Sequence, residues 1–386
     1  MAAIVLNEDQ EERARRLHFE SFVYDFSPYG EPFIMTERHR RVMKDALDRG
    51  APVGQVLYAM AMDRLAELEE DPAARETVAA VWRASGVNAV QVTLGAMEMG
   101  LERWDAVIRD AARWHRRARI GDMMICTTAA DLESAWAQGR IGLVLGLQDS
   151  SCLGTDLNRL DTLYNLGVTV VQLTYNSRNL VGDGCTERNP GGISRFGARL
   201  IEHMNRLRMV VDVSHCGPQT TLDAIELSQQ PIAFTHALCR SLSDHARAKS
   251  DEAIRLLAET GGYMGIVAVP FFLRRDGEAG IDDMMRHLAH AAEIMGIDRV
   301  GIATDWGGWN TDVPPELQQA ILEEFRRMGF RPEDGVQMNA YLGEFVNWED
   351  WYHITRGLVW LGLSDDEIRG VLGRNWLNYY RRIRGA

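Results

Sequence analysis

Short apolar runs rich in Val, Ile and Leu recur along the chain: FVYDF (22–26), VNAVQVTL (87–94), DMMICTT (122–128), IGLVLGLQ (141–148), VTVVQLTYN (168–176), MVVDVSH (209–215), PIAFTH (231–236), GGYMGIVAV (261–269) and RVGIATDW (299–306). Continuous apolar runs of this length, closed by turn residues, mark strands buried on both faces, as in a parallel sheet. The segments between them, such as SRFGARLIEHMNRLR and SDEAIRLLAETG, carry apolar residues at helical spacing with Ser or Asp caps and a closing Gly. Strand then helix, repeated about eight times, predicts an α/β fold of the (β/α)8 TIM-barrel type.

No Pro- or Ser-rich linker and no short-period repeat divides the 386 residues, so 1–386 reads as a single barrel domain. The stretch 307–350 is a long insertion after a strand end, which in a barrel lies over the active-site mouth as a lid or wall. Trp306, Trp309, Trp348 and Trp351, in and around it, are candidates either to stack on a flat ligand or to pack the insertion onto the barrel.

A formal net charge of -13 argues against general affinity for nucleic acid or anionic membranes, which need clustered Lys and Arg. A small-molecule substrate is the expected partner. The first residues do not form a basic segment leading into an apolar core, and no stretch approaches membrane-spanning length, so a soluble cytoplasmic protein is expected. The five cysteines (Cys126, Cys152, Cys185, Cys216, Cys239) are odd in number and lack CxxC spacing, so they read as free thiols.

In a barrel, chemistry gathers where strands end. Here those ends present Ser27 and Tyr29, Gln148 and Asp149, Tyr175 and Asn176, His215, His236, and Asp305. Histidines closing successive strands face one cavity and suit two ligands of a zinc ion, and an aspartate from a later strand suits orienting or deprotonating a water there. A strand-end histidine is also a common structural residue, so the pair alone leaves both roles open.

The stretch VVDVSHCGPQTTLDAIELSQQPIAFTHALCRSLSDHARAKSDEAIRLLAETGG resembles the membrane (renal) dipeptidase family of the amidohydrolase superfamily in its order of strand, SH, helix, PIAFTH and Arg. The similarity extends through CTTAADLESAWAQGRIGLVLGLQDS, LYNLGVTVVQLTYNS, GIATDWGG and HITRGLVWLGLSDDEIRGVLGRNWLNYYRRI, nearly the whole chain. The resemblance implies a (β/α)8 barrel with two zinc ions activating a hydroxide that cleaves a dipeptide or small amide, commonly in a homodimer. By the same resemblance, His215 and His236 fall on the ligands of one zinc. Asp305 falls on the aspartate that handles the proton, and Arg247 on the arginine that holds the substrate carboxylate.

Other positions depart from the family pattern. Where the family opens on D-G-H-x-D, this chain has DFSPY, with Ser27 and Tyr29 at the ligand positions; Gln148 replaces the bridging glutamate and Tyr175 the histidine of LTHN. Serine and tyrosine are not ordinary zinc ligands, so the two-zinc centre is expected to be lost and the metal count to be one zinc per chain, on His215 and His236, or none. Asp149 is offset by one residue from Gln148 and should point away. Cys216 and Cys152 are marginal soft-ligand candidates.

Three readings follow. In the first, a divergent enzyme acts on a small carboxylate-bearing substrate, aromatic or not, by acid/base chemistry. It uses His215, His236, Asp305, Tyr29 and Tyr175, with Arg247, Asn176, Ser27, Gln148 and Trp306 binding substrate. The others are a mononuclear-zinc hydrolase and a catalytically inactive ligand-binding homologue.

Overall fold

The computed structural model describes residues 4–97, 103–275, 278–305 and 313–385. All nine apolar runs form parallel strands: β1 Tyr24–Phe26, β2 Ala89–Thr93, β3 Met123–Ile125, β4 Ile141–Leu147, β5 Val168–Gln172, β6 Val210–Asp212, β7 Ala233–Ala237, β8 Tyr263–Ile266 and β9 Val300–Ile302. Eight of them run in the order β1-β2-β4-β5-β6-β7-β8-β9. The ring closes just past the strands, where the Asp305 amide donates to the Phe26 carbonyl at 2.9 Å. The buried Asp25 carboxylate reinforces that seam by accepting from the Thr304 amide and hydroxyl, each at 2.7 Å, and from Trp351 Nε1 at 3.0 Å.

The exception is β3. It pairs with Ile141, Gly142 and Leu143 of β4, while β5 pairs with Leu145, Gly146 and Leu147. Because β2 already pairs with residues 142–146 of β4, β3 and β5 must share its other edge, and β3 stands outside the ring. Hydrophobicity records that β3 is buried but not which edge it occupies.

The two ends of the barrel differ. At the N-terminal end Tyr24, Ala89, Ala233 and Tyr263, the first residues of their strands, cluster with Trp376, Tyr379 and Tyr380 of the last helix, Asn375–Arg384. Tyr380 Oη donates to Thr169 Oγ1 at 2.7 Å and Tyr379 Oη to the Pro231 carbonyl at 3.0 Å, whereas Trp376 Nε1 has no partner among the described residues. At the C-terminal end the strands open onto a cavity. Three helices, Glu37–Asp48, Val53–Glu70 and Pro72–Ser85, intervene between β1 and β2. Among the described residues no helix is long and apolar enough to cross a membrane.

Candidate active site

The cavity at the strand ends has a volume of about 210 Å³ and is lined by Tyr29, Gln148, Tyr175, His215 and Asp305, residues drawn from five separate strand ends. Most of its remaining wall is apolar: Phe271 and Phe272 follow β8, and Phe325, Met328, Phe330 and Met338 come from the segment after β9, with Thr304, Gln337 and Asn339 as polar interruptions. Trp306 and Trp309 lie outside the described residues. Trp348 and Trp351 do not reach the cavity: both are fully buried, Trp348 against Trp82 with ring centroids 4.9 Å apart, and Trp351 bonded to Asp25. Of the two roles open to these tryptophans, packing is the observed one.

The histidines sit at the base. The Nε2 atoms of His215 and His236 face each other at 3.0 Å, and Gln148 Nε2 lies 3.2 Å from that of His236. His215 stacks on Tyr175 and His236 on Phe26, with centroids 4.1 and 4.2 Å apart. Only His215 reaches the cavity wall; His236, Asn176 and Ser27 are buried behind it.

Their hydrogen bonds fix the tautomers. His215 Nδ1 lies 2.7 Å from Asn176 Oδ1, an acceptor, and therefore carries the proton. Thr235 donates its hydroxyl hydrogen to Asp212 Oδ2 at 2.6 Å, so at 2.9 Å its oxygen accepts from His236 Nδ1. Both Nε2 lone pairs consequently point into the gap between the rings. Burial, with Arg247 adding to it, holds both imidazoles well below their ordinary pKa, so both are neutral at pH 7.

The backbone beneath this pair is held as firmly. Asp212, the last residue of β6, accepts from the Ser214 amide and hydroxyl and from the Thr235 amide and hydroxyl. Arg247 is fully buried and does not line the cavity; its Nη1 donates to the Ser214 carbonyl and its Nη2 to the His236 carbonyl at 3.1 Å. Lys249 Nζ donates to the carbonyls of Val213 and Cys216, at 2.6 and 2.9 Å. The loop from Asn176 to Cys185 packs so closely that a Cβ on Gly184 would fall 2.1 Å from the Asn176 backbone, and only glycine fits. Asp212 and Lys249 were not singled out from sequence, although a charged residue inside an apolar run, as in VVDVS, is the available signal.

Asp305 is different in kind. Half-buried on the cavity wall, its carboxylate accepts no hydrogen bond from the described residues, and its φ of 54° lies in the left-handed region that non-glycine residues rarely adopt. Burial raises its pKa to about 7; Arg247 opposes that rise, and Asp25 and Asp212 add to it. Tyr29 and Tyr175 are pushed above the ordinary phenol value, by burial first and then by Asp305. With their pKa values raised, both stay neutral at pH 7 and can act as hydrogen-bond donors.

The remaining candidates point elsewhere. Asp149 pairs with Arg103 Nη1 at 2.8 Å and accepts from Asn179 Nδ2 at 2.8 Å. Cys216 accepts from Thr174 at 3.2 Å, and burial raises the pKa of both Cys216 and Cys152 to about 11. These are thiols, not thiolate ligands, at neutral pH.

A parallel barrel whose neighbouring strands β6 and β7 lead to facing histidines at the base of one cavity has the architecture of an amidohydrolase-like (β/α)8 barrel. Residues 64–322 match the family model described as membrane dipeptidase (Peptidase family M19), and the chain belongs to that family. A curated dipeptidase, verJ of Clonostachys rogersoniana, is 29% identical over 189 residues, and the match spans about half of each protein, 48% of this chain and 48% of verJ. Among solved structures, an amidohydrolase from Pseudomonas aeruginosa superposes with a TM-score of 0.73 at 24% identity, covering 97% of this chain and 99% of that one. A metallo peptidase from Rhodobacter sphaeroides, liganded with a phosphinate mimic of the dipeptide L-Ala-D-Ala, gives 0.70 at 17% identity over 94% and 99%. These two likenesses establish the shared barrel.

Proposed function

We propose that this chain is a divergent hydrolase of the membrane dipeptidase family that cleaves a small, apolar, carboxylate-bearing amide with its own acid/base groups. The observation that carries this is the pairing, in one cavity lining, of an aspartate poised near neutrality with tyrosine hydroxyls, none of them with a hydrogen-bond partner among the described residues. A general base works best when its pKa lies near the working pH. Asp305 as carboxylate takes a proton from the attacking water, and the acid so formed returns it to the amine that leaves. Tyr29 and Tyr175 donate to the oxygen that becomes negative, the role of an oxyanion hole. The dipeptide mimic held by the R. sphaeroides relative supports a substrate of this size.

The family's two-zinc centre does not fit the residues present. Its first-site positions hold Ser27 and Tyr29, and the bridging position holds an amide, Gln148. Among the described residues no group of three or more His, Cys, Asp or Glu side chains converges, whereas catalytic zinc takes three protein ligands.

One observation favours a second reading, a single bound metal. Two lone pairs facing each other at 3.0 Å repel unless a cation lies between them, and two nitrogens on one tetrahedral zinc stand about 3.3 Å apart. His215 and His236 would hold such an ion, which supplies Lewis-acid polarisation when bound. Elemental analysis of dialysed protein, with cleavage of a panel of apolar dipeptides before and after chelation, separates the two. The proposal expects less than one metal per two chains and turnover that survives chelation. One metal per chain, lost together with activity in His215→Ala, overturns the metal-free reading and establishes the second.

A further inference from the structure

Much of the cavity wall is built of rings that touch one another, and Phe330 is their hub. It meets Tyr175 edge to face, with centroids 6.1 Å apart and planes at 79°, and meets Phe325 in the same way at 5.3 Å and 74°. To Phe272 it lies nearly parallel, at 6.4 Å and 15°. All four rings line the cavity, and Tyr175 continues the series to His215, on which it stacks. Phe325 and Phe330 are half-buried, so each keeps part of its surface open for a further contact.

The backbone holds Phe330 in place. Its amide donates to the Phe325 carbonyl at 3.0 Å, just past the helix Pro315–Arg327. Gly329 before it has a φ of 92°, and a Cβ there would fall 2.4 Å from Ser177 Oγ and 3.2 Å from Asn176 Cβ, so glycine lets this segment press on the loop that follows Tyr175. Beyond it, the Asp334 carbonyl accepts from Nε2 of the buried His245 at 3.1 Å. A wall fixed in this way costs little ordering when a ligand binds. Charge adds a constraint. No Lys or Arg is among the lining residues, and the residues outside the described ones include neither, so an anionic group finds no counter-ion there and the enclosed part of a ligand is its apolar body. A cavity of roughly 150 Å³ holds benzene, and about 210 Å³ admits one ring with a short tail. Size alone would take a saturated ring as readily. The rings of the wall distinguish the two, because an aromatic pair with centroids within reach gains more than its buried area provides.

We infer that the cavity selects a substrate whose apolar body is an aryl ring, and that Phe330 is the residue that sets this preference. The inference rests on the proposed reading of the cavity as the substrate site. Calorimetric titration of the full chain with 3-phenylpropionamide and with 3-cyclohexylpropionamide tests it. The two probes share their uncharged tail and differ in the ring, and buried area alone favours the bulkier saturated one. The aryl probe should nevertheless bind at least about threefold tighter, the margin of one favourable aromatic pair. Phe330→Leu keeps an apolar side chain on the wall but removes the hub ring, and should abolish the preference; Phe325→Leu should reduce it. Equal binding of the two probes, tighter binding of the cyclohexyl probe, binding of neither at millimolar concentration, or an unchanged preference in Phe330→Leu overturns the inference. Should Phe330→Leu fail to fold, Phe325→Leu decides, and an unaltered preference there is the negative result. Binding needs no turnover, so an aryl preference in a protein that cleaves no amide leaves this inference standing while the proposed chemistry fails. An active enzyme that binds both rings alike overturns the aryl preference alone.

Discussion

Asp212 and Asp305 are both aspartates at or just beyond strand ends, in one small region of the barrel, and their surroundings could hardly differ more. Asp212 is fully buried and takes four hydrogen bonds from Ser214 and Thr235. Asp305 reaches the cavity, takes none from the described residues, and sits in a left-handed backbone conformation. Desolvation raises the pKa of both, but at Asp212 the hydrogen bonds from Ser214 and Thr235 act against the rise, whereas at Asp305 only the nearby Arg247 does. A buried carboxylate surrounded by donors is part of the frame, because removing it strands those donors. One left without them is costly to the fold and free for chemistry.

The largest effect that would break this contrast is on stability. Asp212→Ala strands two hydroxyls and two amides beneath the histidines and is expected to cost about 3 kcal/mol or more. Urea unfolding measures it, and a loss under about 1 kcal/mol would remove Asp212 from the frame. Asp305→Asn should do the reverse. Activity falls at least about 100-fold, the usual worth of a positioned acid/base, while the fold is not weakened. The pH dependence carries the sign: with a folded-state pKa above the ordinary carboxylate value, Asp305 contributes stability that is fully present below about pH 4 and is lost as pH rises through about 7. Wild type and Asp305→Asn should therefore diverge across that window, the variant becoming relatively more stable towards alkaline pH. Parallel stability curves would show that Asp305 ionises as an ordinary surface acid.

Much of this arrangement was legible in the chain. Burial on both faces writes itself as continuous apolar runs, and every such run is a strand. The facing of His215 and His236, and the place of Asp305 on the cavity wall that His215 also lines, follow from their positions at strand ends once the barrel is drawn. What escaped depended on packing. The position of β3 outside the ring is a choice between edges, which periodicity does not encode. Arg64 lies in MDRLAELEE, where an arginine among glutamates looks like a solvated face; its burial comes from how the helices between β1 and β2 settle against the barrel. Arg247 is placed by family pattern at the substrate, and its two Nη bonds to the Ser214 and His236 carbonyls are contacts that the pattern does not describe.

The smallest expected effect concerns Tyr175, and it asks whether the open wall of the cavity acts through hydroxyls or only through surface. Tyr175→Phe keeps the ring that stacks on His215 at 4.1 Å and removes a hydroxyl that no described residue engages. Because nothing loses a partner, unfolding free energy should stay within about 0.5 kcal/mol of wild type. If the hydroxyl donates to the developing oxyanion, kcat should fall about tenfold with KM unchanged, since that bond is made only as charge appears on the oxygen. Equal kcat in the two proteins would leave Tyr175 as a spacer that positions His215 and would assign the donor role to Tyr29 alone. A rise in KM with kcat unchanged would mean that the hydroxyl grips the bound substrate and not its transition state. Steady-state kinetics on one apolar dipeptide therefore distinguishes a wall that reacts from one that only encloses.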